Sequence, residues 1–194
     1  MYRFVSAISI VLIAVTCAIA QEGARVVPRT LDELQQQADV ILQGHVVSAI
    51  VQPHPQYSAL TTVVVTLRVT DTLKGTAGQT YTFRQFIWNP RDIANAAGYR
   101  KGQELLLLLH TANQNGLSST VGLGQGRFRI IRDAQGKATA LNAYTNAGLF
   151  RGMVSPSPRV KSLSPKAQQA LSSSGGPIDL DALKEIIRAY GASQ

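Results

Sequence analysis

Along residues 60–75, "LTTVVVTLRVTDTLKG", apolar and polar positions alternate. Val63, Val65, Leu67 and Val69 fall on one side, and Thr62, Val64, Thr66, Arg68 and Thr70 on the other. A period of two predicts a strand with one apolar face, ended by Leu73-Lys74-Gly75. Residues 38–51, "ADVILQGHVVSAIV", are dense in β-branched residues and carry one internal glycine, Gly44, which marks a bulge or bend. "QPHPQYSA" (52–59) reads as a loop. In "QTYTFRQFIW" (79–88), Tyr81, Phe83 and Ile87 alternate with Thr82, Arg84, Phe86 and Trp88. "QELLLLLH" (103–110) is apolar on both faces and predicts a central strand covered on both sides. "LSSTVGL", "GRFRIIRD" and "ATALNAYT" predict two or three further strands of a meander, with a "DAQGK" turn before the last.

The period changes at the two ends. "TLDELQQQADV" predicts a short helix with Thr30 at the N-cap and Glu33 completing a capping box, its buried side formed by Leu31, Leu34 and Ala38. "DLDALKEIIRAYG" has Asp179 as cap and an apolar stripe of Leu180, Leu183, Ile186, Ile187 and Tyr190, an amphipathic helix expected to dock on its own domain. Between 89 and 102 the chain reads as a long loop with one helical turn near residues 93–97. Residues 151–177, rich in Ser and Pro, read as a mostly irregular connector, in which Ser164 and Pro165 could open a turn or two of helix. In "VGLGQGRFRI" (121–130), the spacing G-x-G-x-G lacks the third interval of a dinucleotide loop and no helix signal follows it. It predicts a bend between strands.

Residues 1–20 carry the pattern of a secretory signal: Arg3, an apolar run over residues 4–15, and Ala18-Ile19-Ala20, which places cleavage between Ala20 and Gln21. The run is shorter than the roughly 20 residues a membrane span needs. Cleavage there removes Cys17, the only cysteine, so the mature domain of 174 residues (194 − 20) must be stable without disulfides. Its net charge is +7, from 18 basic residues against 11 acidic ones. Three segments follow: 21–150 as a β-barrel domain, 151–177 as the connector and 178–191 as the C-terminal helix. The expected location is secreted or periplasmic.

Candidate chemistry is sparse. His45, His54 and His110 stand at no metal-ligand spacing with one another or with a carboxylate, and no paired cysteines, HExxH or G-x-S-x-G motif occurs. No catalytic residue, metal site or cofactor is therefore assigned. What remains is a basic and aromatic set on strand faces, Arg84, Phe86, Trp88, Arg127 and Arg129, predicted to be solvent-facing. Such a face suits single-stranded nucleic acid or sugars, and export makes nucleic acid an improbable partner. An acidic polysaccharide or an envelope or extracellular protein fits better, against the plainer reading of a solvated basic face.

The segments Ala38-Asp39-Val40 to Gly44-His45-Val46, Leu73-Lys74-Gly75, and Gly102 to Leu109 together resemble the netrin-like domain of tissue inhibitors of metalloproteinases, and exported bacterial proteins of the same layout. The resemblance covers roughly residues 31–132 and implies an OB-like Greek-key barrel of about five to seven antiparallel strands with flanking helices. The inhibitory mechanism of that family does not transfer. It uses an N-terminal cysteine on the protease zinc, and here the mature chain begins near Gln21 and has no cysteine. The expected function is an exported, non-catalytic binding or envelope-associated protein. Two alternatives stay open: a polysaccharide-binding module using the basic-aromatic face, and a secreted hydrolase with an unrecognised site. The strand assignment has a direct test. Val65→Asp places an unpaired charge in the core and should destabilise the domain severely; an unchanged thermal midpoint would refute the assignment.

Overall fold

The computed structural model describes residues 27–153 and 163–191. The segment read as a secretory signal, with the expected cleavage between Ala20 and Gln21, lies outside the described residues. The elements run α1 (Leu31–Gln37), β1 (Val40–Pro53), β2 (Thr61–Lys74), β3 (Thr80–Phe86), β4 (Glu104–Leu109), β5 (Arg127–Arg132), β6 (Ala138–Leu141), α2 (Pro165–Leu171), β7 (Ile178–Asp179) and α3 (Leu180–Gly191), with 3-10 turns at Pro90–Gly98 and Leu123–Gln125. The strands form one antiparallel sheet in the order β3-β2-β1-β4-β5-β6-β7. This is the mainly β architecture expected, but the sheet is open. Its ladder starts at β3 and ends at β7, and among the described residues no ladder joins β3 to β5.

The sheet buries both faces. All six residues of β4 are buried, and they divide by parity. Leu106 and Leu108 join Ile41, Phe128, Ile130 and Ala140 in a core covered by α1, α2 and α3. Leu105, Leu107 and Leu109 lie on the other side, where they form a second core with Leu42, Val63, Val65, Leu67 and Phe83. Ala96 and Ala97 of the 3-10 segment, Tyr99, Ile87, and Ala77 of the β2–β3 turn pack against this second core. Its other members come from β1, β2, β3 and β4, so the sheet largely covers it by curling around it.

Gly44 permits the curl. The register of β1 against β2 shifts between Gln43 and Gly44 and again between Val46 and Ser48. A β-carbon on Gly44 would lie 2.6 Å from the Arg68 carbonyl oxygen, so the two strands approach there too closely for any side chain.

The helices follow their end signals. The Glu33 carboxylate accepts from the Thr30 backbone N–H at 2.8 Å, as the capping box requires. Ser164 caps α2, its hydroxyl accepting from the Ala167 N–H, with Pro165 in the first turn. Asp179 accepts from the N–H groups of Asp181 and Ala182 at the start of α3. The stripe of α3 is buried against the sheet, and the Gln35 side chain of α1 donates to the Ile187 carbonyl at 2.7 Å.

Three expectations change. "LSSTVGL" forms no strand; it makes a single bridge, Thr120 to Leu109, while the Ser118 N–H donates to the Arg84 carbonyl of β3 at 2.8 Å and only Thr120 onward is taken up by the turn that follows. The described part of the Ser/Pro-rich stretch is not a mere connector, since Met153, Leu163 and Ala167 are buried in the helix-covered core. A two-residue strand, β7, precedes the last helix.

The Gly44 contact yields a prediction. Gly44→Ala should cost about 1–3 kcal/mol of unfolding free energy, because backbone rather than a flexible side-chain end must move. Gly78→Ala, whose new methyl meets only ordinary contact at 3.8 Å, should stay within about 0.5 kcal/mol in the same denaturation series.

Candidate ligand-binding cleft

The open seam between β3 and β5 is where the predicted basic-aromatic residues partly converge. Gln85 and Phe86 at the end of β3, Trp88 just beyond it, Asp92, Leu123 and Arg127 at the start of β5 all line one cleft of about 230 Å³. Trp88 is 75% exposed and stands edge-on to Phe86, with ring centroids 4.9 Å apart at 82°. Edge-to-face packing holds one aromatic plane while leaving a face of the indole to solvent.

Arg127 does not lie on a free solvent face, as its alternation with Phe128 suggested. It is half-buried: its guanidinium sits 4.8 Å over the Tyr99 ring and donates to the Ala97 carbonyl at 2.7 Å. Tyr99 is itself buried, meets Phe83 edge-on at 5.8 Å and donates its hydroxyl to Gln85 at 2.9 Å. Burial pushes the Tyr99 hydroxyl pKa up, and the neighbouring Arg127 opposes that shift. Arg127 therefore closes the second core at the seam, and its exposed edge forms part of the cleft wall.

The other two arginines lie apart from Trp88. Arg84 is half-buried on the outer face of β3, donating to the Thr62 hydroxyl at 2.8 Å, in a separate depression with Tyr81 and Ser118. Arg129 is exposed and lines a neighbouring cleft of about 350 Å³ with Leu141, Asn142 and Thr145, to which Arg127 also contributes. Thus Phe86, Trp88 and Arg127 come together, Arg129 adjoins them through Arg127, and Arg84 does not.

No local signal in the residues marks the segments that shape this cleft. Ala96 and Ala97 adopt left-handed backbone angles (φ 51° and 54°), as does Leu123 (φ 56°), which is exposed at the rim. Non-glycine residues in this region store strain and concentrate at functional sites. The turn "VGLGQG" is the bend expected. The Leu108 carbonyl accepts from Val121, Leu108 donates to Gly126, and a β-carbon on Gly126 would meet the Val121 carbonyl oxygen at 2.5 Å.

The histidines are placed structurally. His54 is buried; its Nδ1 accepts from the N–H groups of Gln56 and Tyr57, which leaves Nε2 to donate to the Asn115 carbonyl at 2.7 Å. His110 Nδ1 stands 4.0 Å from Asp39, beyond hydrogen-bonding reach. That carboxylate instead accepts from the Thr111 backbone N–H and hydroxyl, and the backbone bond is the main reason its pKa falls below the usual range. His45 lies 3.8 Å from Glu104, with a buried Nδ1 that has no partner among the described residues. No three His, Cys, Asp or Glu side chains gather for a metal among the described residues, and no described helix is long and apolar enough to cross a membrane.

The densest charge cluster is closed on itself. Glu104 is only 9% exposed; it accepts two hydrogen bonds from Arg132, at 2.8 and 2.9 Å, and one from Gln43 at 2.7 Å. Lys184 of α3 donates to Gln43 at 3.0 Å and, with Arg188, pairs with Asp71 of β2. Burial raises the Asp71 pKa, but the two cations more than offset it and the net shift is downward. The cluster ties α3 to β1, β2, β4 and β5 and leaves little free charge for a ligand.

No protein-family model matches the chain, and neither does any curated protein or solved structure. The netrin-like resemblance gains no support from those comparisons.

The Glu104 cluster sets a pH dependence. The Arg132 hydrogen bonds hold the Glu104 carboxyl below its usual range. Its stabilisation is therefore full above the unfolded value of about 4.3 and fades as pH falls through the folded value. Glu104→Gln should lose about 1–2 kcal/mol at pH 7, limited by the exposure of Arg132. Denaturation curves of the two proteins should converge in acid; a constant difference down to the lowest pH would contradict a stabilising Glu104 carboxylate.

Proposed function

We propose that this protein is an exported, non-catalytic binding or envelope-associated protein, and that its ligand occupies the cleft at the seam of the sheet. The export reading rests on the pattern of residues 1–20, with cleavage at Ala20. The binding reading rests chiefly on one observation: the chain's only tryptophan is 75% exposed at the mouth of a cleft that also carries a half-buried arginine. A large exposed aromatic costs solubility and contributes nothing to either core, whereas interfaces are enriched in Trp and Arg. The left-handed residues on both sides of the cleft support the same reading.

We further infer a partly open OB-like barrel, in keeping with the netrin-like resemblance. The order β3-β2-β1-β4-β5 is that of a five-stranded barrel cut between its third and fifth strands. In place of a β3–β5 ladder, the Ser118 N–H bonds the Arg84 carbonyl of β3, Tyr99 bonds Gln85, and Arg127 bonds Ala97.

Because Trp88 contributes to neither core, Trp88→Ala should alter stability by less than about 1 kcal/mol. The measurement that matters is retention: wild-type and Trp88→Ala proteins are immobilised and exposed to fractionated envelope polysaccharide and protein. A component held by wild type and lost from the variant is expected. Equal retention by both proteins would remove the cleft from the proposal.

A further inference from the structure

Two neighbouring clefts share Arg127 as a common wall, and their linings differ in a way that specifies a ligand spanning both. At one end stand Trp88, Phe86, Leu123 and Asp92; at the other stand Arg129, Asn142 and Thr145, with Arg127 between. Arg127 and Arg129 are two apart on β5 and so project from the same face, their α-carbons about 7 Å apart. Asp92 lines only the aromatic end. An anion is therefore favoured over the arginines and repelled beside Trp88.

Resting on the cleft as the binding site, we propose that the two clefts together take an acidic oligosaccharide in which neutral and carboxylate-bearing sugars alternate. A neutral ring stacks on Trp88, and the adjoining uronate carboxylate meets Arg127 and Arg129. Charge complementarity selects this occupant, since the mature chain is +7 (18 − 11), the exposed Arg129 guanidinium offers a planar, bidentate donor to a carboxylate, and the Arg127 charge stands beside it with one donor already given to Ala97. An extended acidic peptide matches less well. Peptides held in extended form draw affinity from a free sheet edge, and here the clefts adjoin the face of β5, which already pairs with β4 and β6. Sugar rings need no backbone partner, and the exposed Thr145 lies where ring hydroxyls would pass, whereas Asn142 is buried with its amide bonded to Gln125, Tyr144 and Asn146.

The single tryptophan makes the test direct, because every change in indole emission reports Trp88. The mature protein is titrated with a hyaluronan tetrasaccharide, which alternates amino sugar and uronate, with neutral chitotetraose and with tetraglutamate; calorimetry follows the variants. The hyaluronan fragment should shift and saturate the emission, weaken as salt rises, and bind about tenfold or more tighter than chitotetraose. Arg129→Gln should cut its affinity about tenfold while leaving the thermal midpoint unchanged, because Arg129 is exposed. Binding that Trp88→Ala abolishes but Arg129→Gln leaves intact, or equal binding of chitotetraose, would keep the cleft and overturn the acidic ligand. Tighter binding of tetraglutamate would replace the sugar by a peptide. Full hyaluronan affinity in Trp88→Ala would overturn the cleft reading itself, and no binding of any probe would overturn the ligand class.

Discussion

The fold turns on the five leucines of β4. They leave neither face of the central strand fit for water, so the sheet needs two covers, and the chain supplies them by different means. Three helices cover one face. On the other, β1, β2 and β3 bend round until Val63, Val65, Leu67 and Phe83 meet the odd-numbered leucines. That bend requires β1 and β2 to touch at Gly44, where no side chain fits. The second cover is also incomplete. It reaches across β4 and stops, so the corresponding face of β5 and β6, with Arg127, Arg129 and Ile131, passes from core to surface within one strand spacing.

Arg127 stands at that boundary. Its alternation partner Phe128 lies in the helix-covered core, so its own side chain must leave on the opposite face, where the second core ends. Stacking on Tyr99 and bonding to Ala97 let one guanidinium close an apolar interior and still present an edge to the clefts. The Glu104 cluster contrasts with it. There the charges neutralise one another and hold α3 in place, which is structural work.

Much of this was readable from the residues. The alternation of β2, the doubly apolar run of β4, the caps at Thr30, Ser164 and Asp179 and the stripe of α3 are local signals, and each element appears where its signal lies. The bend at Gly44 was legible too, since a glycine between β-branched neighbours has few other uses. The failure to close was not legible, because whether β3 meets β5 depends on loop residues far apart in sequence, Tyr99 and Ser118, that bond β3 in its place. For the same reason Arg84, Arg127 and Arg129 look alike in sequence. Their alternation with apolar neighbours is the same, and only the curvature of the sheet separates a bonded arginine from a capping one and an exposed one. The left-handed Ala96, Ala97 and Leu123 are invisible in advance, since neither alanine nor leucine favours that conformation.

The contact of α1 with α3, sealed by Gln35 and the Ile187 carbonyl 152 positions later, bears on when this chain can fold. The helix-covered core takes its sides from both ends of the domain. A polypeptide delivered N-terminus first, whether from a ribosome or through a translocation pore, therefore holds α1 and the apolar face of β1 without their partner until α3 has emerged. The second core, whose members all fall between Val40 and Leu109, can pack before α3 emerges, whereas the helix-covered core must wait, and the long loop its late contact closes slows that step. The order of the elements thus makes the helix-covered core the last part of the domain that can be completed.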